Sequence, residues 1–372
     1  MKIIFICFNY LTLYKAINYI KYIYSDCECI IIFRTSVADV PSGIKHYFRL
    51  VEIIIDRKKS AYKIFSKYNN LIKILLVIKR TINVIRKEID ESKQMNLVVF
   101  KDHEIMESTF IEKFRLFTRK NGKVILIEEG NALYEKRIPR KRLGYCWYII
   151  QKLFGLSDYF LNNYPQGYNL LVNEIVCSDA ERFTQLKNRV NLKIVEQNNY
   201  FTFENCQFFI ENILGYNFEG LKRYKSFDFA FLTQPLEEIG LTEDMEEKII
   251  ERLLITGKNV LIKKHPRDME KRRYSDGCNV HELPEELNVI PFECLYGIIG
   301  EPIIVTFYSS AYKNMLLDNK DTRVILLYKL LNNERINSLM DDLEKEFDRR
   351  IFIPESIEQL DDAINWWRKL QV

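Results

Sequence analysis

Lys2-Ile3-Ile4-Phe5-Ile6-Cys7-Phe8 is an unbroken apolar run that stops at Asn9, and Cys29-Ile30-Ile31-Ile32-Phe33 repeats the pattern after a stretch of helical periodicity near 13–24. A strand with one wet face alternates apolar and polar residues. A continuous run marks a strand buried on both faces, which is the habit of parallel sheets, and the helix between the two runs closes a βαβ unit. Asn9-Tyr10-Leu11-Thr12 reads as the connection into that helix. Leu50-Val51-Glu52-Ile53-Ile54-Ile55 continues as a strand, a basic helical region follows over about 59–92, and Asn96-Leu97-Val98-Val99-Phe100 and Lys123-Val124-Ile125-Leu126-Ile127 flank a further helix. The first half of the chain therefore reads as doubly wound α/β. The opening run is too short for a signal peptide before Asn9 and has no A-x-A-like cleavage site.

The region 140–220 is aromatic-rich and mixed in pattern, and its periodicity assigns no elements. A second alternation begins at Asp228. Phe229-Ala230-Phe231-Leu232 is a strand, Thr242 is placed to cap a helix reaching about 256, and Asn259-Val260-Leu261-Ile262-Lys263 is the next strand. Pro302-Ile303-Ile304-Val305-Thr306-Phe307 and Arg323-Val324-Ile325-Leu326-Leu327 extend the series, and Ser356 is placed to cap a last helix carrying Trp366 and Trp367. The expected organisation is an α/β domain over 1–220, a second over 221–355, and a C-terminal helix over 356–372 that packs back on the first. Open α/β sheets bind ligands outside the carboxyl ends of their strands, so two of them in tandem imply a shared cleft.

The chain has 372 residues, 47% hydrophobic, with 13 Gly and 9 Pro, a composition that excludes a disordered or collagen-like protein. Its 55 Lys and Arg against 51 Asp and Glu leave +4, too small an excess for a dedicated nucleic-acid binder. The eight cysteines are scattered without a C-x-x-C, and Cys27 and Cys29 have no second pair at zinc spacing, so reduced thiols in a cytoplasmic protein are expected. No run of 18 apolar residues offers a membrane span.

Chemistry gathers where the strands end. Glu128-Glu129-Gly130 follows the strand at 123–127 directly, placing two carboxylates beside a residue that permits a sharp turn. Such a pair can supply a general base, and it also describes a solvated acidic turn. Lys263-Lys264-His265-Pro266-Arg267-Asp268 follows another strand; Pro266 restricts His265 to extended backbone, and three cations surround an imidazole able to donate to a departing phosphate. Tyr308-Ser309-Ser310-Ala311 ends a third strand and opens a helix, so that two hydroxyls and free N–H groups can cradle phosphate, although a plain Ser cap has the same sequence. Pro291-Phe292-Glu293 adds a carboxylate able to accept from a ribose diol, or a surface turn. Together these are a base, a proton donor, phosphate ligands and a sugar acceptor, the parts that glycosyl transfer needs.

Glu128-Glu129-Gly130 resembles the D/E-D/E-G motif, and His265-Pro266 the HP motif, of bacterial sialyltransferases. Phe231-Leu232-Thr233-Gln234-Pro235-Leu236 resembles the corresponding stretch of the group that includes lipooligosaccharide sialyltransferases, and capsular polysialyltransferases are similar. The order of acidic motif, HP, P-x-E and Ser-Ser also fits these groups, over about 123–316. The resemblance implies a GT-B fold, two Rossmann-like domains facing a cleft, and an inverting, metal-independent transfer of sialic acid from CMP-sialic acid to a hydroxyl of a cell-surface glycan, lipooligosaccharide or capsule. By position, Glu129 is the implied base and His265 assists departure of the CMP phosphate; Ser309 and Ser310 bind that phosphate, Glu293 the ribose, and Lys263, with Pro266 and Arg267 beside it, the nucleotide. An acidic motif of two glutamates keeps Glu128 open as the base, with Glu243 and Asp244 in reserve. No cofactor beyond the donor and no metal is implied, since a nucleoside monophosphate leaves with less charge than a diphosphate and His265, Lys263, Arg267 and a helix N-terminus can replace a cation. The implied partners are a nucleotide-sugar donor and a glycan acceptor, with a homodimer and a peripheral contact on the cytoplasmic face of the inner membrane as further expectations.

Three other readings stand beside this one. A related GT-B transferase uses CMP-Kdo or polymerises sialic acid. Asp102-His103-Glu104 mimics the D-x-D metal clip of GT-A glycosyltransferases. Lys58, Lys59, Lys63, Lys67, Lys73, Lys79, Arg80, Arg86 and Lys87 suit a non-catalytic binder of anionic lipid or nucleic acid, or a solvated helix face.

Overall fold

The computed structural model describes residues 1–34, 39–53, 63–134, 149, 152–157, 165–187, 189, 192–197, 201–235, 243–255, 257–266, 279–331, 333–334, 336–337, 340 and 349–363. The chain divides into two compact units, Met1–Tyr200 and Phe201–Val372.

In the first unit the strands are β1 (Lys2–Cys7), β2 (Glu28–Arg34), β3 (Arg49–Ile53), β4 (Met95–Val99), β5 (Lys123–Ile127), β6 (Glu174–Cys177) and β7 (Lys193–Glu196). All pair in parallel, in the order β3-β2-β1-β4-β5-β6-β7. β1 lies at the centre, with Phe5 opposite Ile31 on one side and Val98 on the other. Every residue of β1 is buried, as a strand covered on both faces must be. Ile4, Ile6, Leu97, Val99, Val124 and Leu126 pack into one core together with Val77, Ile78 and Ile85 of α3 (Lys63–Glu88) and Phe110 and Phe114 of α4 (Ile105–Phe117). Alternate residues Ile3 and Phe5 turn to the opposite face.

The first helix, α1 (Tyr10–Tyr22), starts three residues earlier than its apolar periodicity suggests, and a single turn, α2 (Ile44–Tyr47), lies between β2 and β3. Asn9 is its N-cap: the Asn9 side chain accepts from Thr12 N–H at 2.8 Å, and Thr12 Oγ1 accepts from Asn9 N–H at 3.2 Å. This reciprocal capping box satisfies two end donors and draws the connecting residues into the helix. On the second half of α3, Lys79, Arg80, Arg86 and Lys87 are exposed while Val77, Ile78, Thr81 and Ile85 are buried, an amphipathic face turned to solvent. Lys58 and Lys59, and the side chains of Lys63, Lys67 and Lys73, lie outside the described residues. Within 140–220, β6 and β7 are four residues long and flank α5 (Ala180–Lys187), too short for periodicity to reveal.

The second unit opens with short helices, α6 (Phe203–Phe208) and α7 (Phe218–Leu221), and builds a parallel sheet from β8 (Phe229–Leu232), β9 (Val260–Lys263), β10 (Val280–Glu282), β11 (Ile303–Thr306), β12 (Val324–Leu326) and β13 (Ile351–Phe352). The order is β10-β9-β8-β11-β12-β13. Each unit thus repeats the 3-2-1-4-5 arrangement of a Rossmann sheet, with its strand order reversing between β1 and β4 and between β8 and β11. Four helices are interleaved with these strands: α8 (Glu243–Ile255) before β9, the short pair α9 (Glu285–Asn288) and α10 (Phe292–Tyr296) between β10 and β11, and α11 (Ala311–Asp318) after β11. Thr242 and Trp366 and Trp367 lie outside the described residues. Ser356 belongs to a turn, its carbonyl accepting from Gln359 N–H at 3.2 Å, and the backbone becomes helical only over 360–363, so Ser356 is not the expected cap. Among the described residues no helix is long and apolar enough to cross a membrane.

Gly300, in the turn before β11, has φ +87°, and a Cβ there would stand 2.7 Å from the Lys225 carbonyl oxygen. Backbone cannot yield as a flexible side chain can. Gly300→Ala is expected to cost about 1–3 kcal/mol, read as a lowered Tm; an unchanged Tm would contradict this turn.

Candidate functional site

In the first unit the candidate residues stand at the carboxyl end of the sheet. Glu128 N–H donates to Val176 O at 2.9 Å, so the chain is still extended there and Glu128 and Glu129 point to opposite sides. Glu128 turns inward and is buried; its carboxylate accepts from Tyr134 O–H and Ser178 N–H, each at 2.6 Å, and from Ser178 Oγ. That carboxylate is spent on holding the β6–α5 connection. Glu129 retains 20% side-chain exposure, enough for a substrate to reach it.

Two side chains hold Glu129. Asn9 Nδ2 donates to Glu129 Oε1 at 2.9 Å, its amide already aimed by the capping box, and Lys101 Nζ lies 3.8 Å from Oε2. Lys101 also donates to Glu104 at 2.9 Å and sits 4.6 Å from the centre of the Phe8 ring. Burial raises the Glu129 pKa above the ordinary carboxylate range, opposed by Lys101 and by the Asn9 hydrogen bond. Burial works in the other direction on Lys101, and Glu129 and Glu104 override it, keeping the ammonium charged. Lys15, buried in α1, donates to the Glu128 carbonyl at 2.6 Å and fixes the backbone from which both glutamates depart.

Asp102 does not form a metal clip. It is wholly buried, its carboxylate accepting from Gly167 N–H at 2.9 Å and Asn169 N–H at 3.1 Å, while Glu104 is paired with Lys101. The carboxylate is an anchor for the 165–172 segment. Among the described residues no group of three or more His, Cys, Asp or Glu side chains is placed to hold an ion.

In the second unit the HP stretch and the Ser-Ser stretch leave neighbouring strands on either side of β8. Thr233, directly after β8, accepts from His265 N–H at 3.1 Å through Oγ1. Thr306, the last residue of β11, donates through Oγ1 to the Leu232 carbonyl at 3.3 Å and accepts from Ser309 N–H at 3.4 Å. Two buried threonines therefore tie both stretches to the switch point. Ser309 Oγ accepts from Ala311 N–H at 3.3 Å, and Ser310 is the N-cap residue of α11 by backbone alone, its hydroxyl not used to cap the helix.

Of the three cations expected around His265, the two described ones are committed elsewhere. Lys263 is buried, donating to the Asn288 carbonyl at 2.7 Å; burial brings its pKa down to about 8, against the pull of Glu293. Lys264, pointing the other way by strand alternation, pairs with Glu282 at 2.7 Å. Arg267, like the side chains of Glu243 and Asp244, lies outside the described residues. Pro266 follows His265 as expected, both half-buried. Glu293 is no surface turn: it sits in α10, 5% exposed, and accepts from Asn314 Nδ2 at 2.9 Å. Asn9, Lys101, Thr233, Thr306 and Asn314 escaped the sequence reading. Of these, Asn9 alone carried a usable signal, the cap spacing to Thr12.

No protein-family model matches the sequence, and no curated protein matches it in sequence. Among solved structures, the chain is similar over 99% of its length to a putative UDP-N-acetylglucosamine 2-epimerase from Listeria monocytogenes, with TM-score 0.56, 11% identity and 88% of that chain covered. It is similar over 95% of its length to a sialyltransferase from Photobacterium damsela, with TM-score 0.50, 12% identity and 81% of that chain covered. The GT-B domain of a sialyltransferase from Photobacterium damselae is covered completely, at TM-score 0.51 and 11% identity, again over 95% of this chain. The fold is GT-B. An epimerase and a sialyltransferase share GT-B architecture with this chain, so its chemistry has to be argued from side chains. A GT-A metal clip has no place in GT-B topology, in accord with the buried role of Asp102.

Lys101→Met is expected to raise the Glu129 pKa further, because it deletes the cation that opposes burial, while Lys101→Arg keeps it. Carbon-13 titration of glutamate carboxyls, assigned with Glu129→Gln, reads the shift; an unmoved midpoint would contradict the pairing. The same raised value means that the folded state holds this proton more tightly than the unfolded. Its contribution to stability is thus full below the ordinary 4.5 and is lost as pH rises through the raised value. Asp102→Ala, which strands the Gly167 and Asn169 N–H groups, is expected to cost about 3 kcal/mol in denaturant unfolding; a loss under about 1 kcal/mol would speak against the anchor.

Proposed function

We propose that this GT-B protein is an inverting, metal-independent sialyltransferase that moves sialic acid from CMP-sialic acid to a hydroxyl of a cell-surface glycan. The observation that carries the reading is the pairing of the His265 and Ser309-Ser310 stretches around β8, where a Rossmann sheet takes a nucleotide. Glu129, 20% exposed at the carboxyl end of the first sheet, is the carboxylate the reading takes as base. The fold shared with the Photobacterium sialyltransferase supports the reading at the level of architecture.

In this mechanism Glu129 takes the proton of the acceptor hydroxyl as its oxygen attacks the anomeric carbon from the face opposite the leaving group. The bond from that carbon to the phosphate oxygen breaks, the electron pair leaves with CMP, and the configuration inverts. His265 donates to the departing phosphate, and the Ser309 and Ser310 hydroxyls with the first N–H groups of α11 stabilise its charge. Glu293 accepts from the ribose. Glu128 and Lys15 hold the backbone that aims Glu129, and buried Lys263 brings a positive charge into the neighbourhood of Glu293. The donor contact, with Pro266 and Arg267 flanking His265, and the glycan acceptor are the partners the proposal names; transfer from CMP-Kdo and polymerisation of sialic acid are the nearest variants of the same chemistry.

CMP release is expected with CMP-sialic acid and galactose-terminated or sialylated acceptors, unaffected by EDTA and not competed by CMP-Kdo. His265→Ala and Glu129→Gln are each expected to slow turnover by roughly 10²–10⁴. Normal turnover by a folded His265→Ala protein rules out its assigned role, and turnover only with CMP-Kdo changes the donor.

A further inference from the structure

Glu293 is a buried carboxylate whose charge needs compensation. Lys263, itself 6% exposed, provides a neighbouring cation, but its ammonium donates to the Asn288 carbonyl and makes no ion pair with Glu293 within 4 Å among the described residues. The direct donor is Asn314 Nδ2, at 2.9 Å from Oε1. Among the described residues the second oxygen, Oε2, accepts no hydrogen bond, and it is not one of the buried side-chain atoms closed off from solvent without a partner. One oxygen is fastened and the other is open.

Asn314 lies on α11 four residues after Ser310, hence on the same helix face and about one 5.4 Å turn away. That is the scale separating the 5′-phosphate of a nucleotide from its ribose diol. A neutral amide suits this post: it supplies a hydrogen bond without neutralising the carboxylate, so Oε2 keeps the acceptor strength of an anion. A lysine or arginine there would quench it.

We infer that Asn314 is a positioning residue for ribose recognition, holding Glu293 by Oε1 so that Oε2 meets the ribose diol of a nucleoside monophosphate whose phosphate rests at Ser309 and Ser310. The inference deepens the nucleotide reading given above and rests on it. It makes α11 the element that sets the phosphate and the ribose of the nucleotide at once.

Titration calorimetry of the full chain with CMP and 2′-deoxy-CMP tests it. The wild-type protein is expected to prefer CMP by about tenfold, as for one hydrogen bond to a charged acceptor. Glu293→Gln brings the ratio near one. Asn314→Leu brings it within about threefold of one by weakening CMP alone; unchanged 2′-deoxy-CMP affinity certifies the fold, and Asn314→Asp, equal in size and lacking the donor, replaces a variant that fails to fold. A wild-type ratio in the Asn314 variants, with the ratio lost in Glu293→Gln, overturns this inference and leaves the nucleotide reading standing. Absence of CMP binding, or of any ribose preference, in the wild-type protein overturns both.

Discussion

The parallel ladders at the two switch points, β1 against β4 and β8 against β11, are the constraint from which the candidate residues take their positions. A parallel strand must be left by a crossover, so each strand delivers its next residues to the same edge of the sheet. Where the order reverses, the loops on either side part and leave room. Phe8, Asn9 and Lys101 flank the first such place, and Thr233, His265, Ser309 and Ser310 the second.

Within that frame, alternation divides adjacent residues of like chemistry between structure and function. Glu128 is consumed by Tyr134 and Ser178, whereas Glu129 stays open and is steadied by Asn9 and Lys101. Lys263 goes under the surface to Asn288 and Lys264 goes out to Glu282. The doubled charges that look like clusters in the primary structure are therefore split pairs, one member buried and the other partly exposed. A buried carboxylate survives only where several hydrogen bonds replace water, and Glu128 and Asp102 are both such cases.

The long apolar runs made most of the architecture legible. β1, β2, β4, β5, β8, β9, β11 and β12 fall within a residue or so of where continuous hydrophobicity puts them. Edge strands did not announce themselves: β7, β10 and β13 lie on the outside of their sheets and carry polar or partly exposed residues, so no continuous apolar run marks them, and β6 opens on a glutamate within a mixed region. Asp102-His103-Glu104 shows the opposite failure, a pattern that mimics a metal clip while its first carboxylate is committed to the Gly167 and Asn169 amides, sixty-odd residues away.

By itself the sequence determined two α/β halves, because backbone polarity and buried apolar runs leave few alternatives to parallel sheets, and it marked which loops carry the unusual side chains. Tertiary structure alone decided which of Glu128 and Glu129 is open, that Lys263 is buried against Asn288, and that Asn9, Thr233, Thr306 and Asn314 hydrogen-bond Glu129, His265, Ser309 and Glu293 respectively. The reason is physical. Burial and partner choice depend on segments distant in the chain, such as Ser178 for Glu128 and Asn314 for Glu293, and no local pattern of residues encodes who arrives from the far side of a sheet.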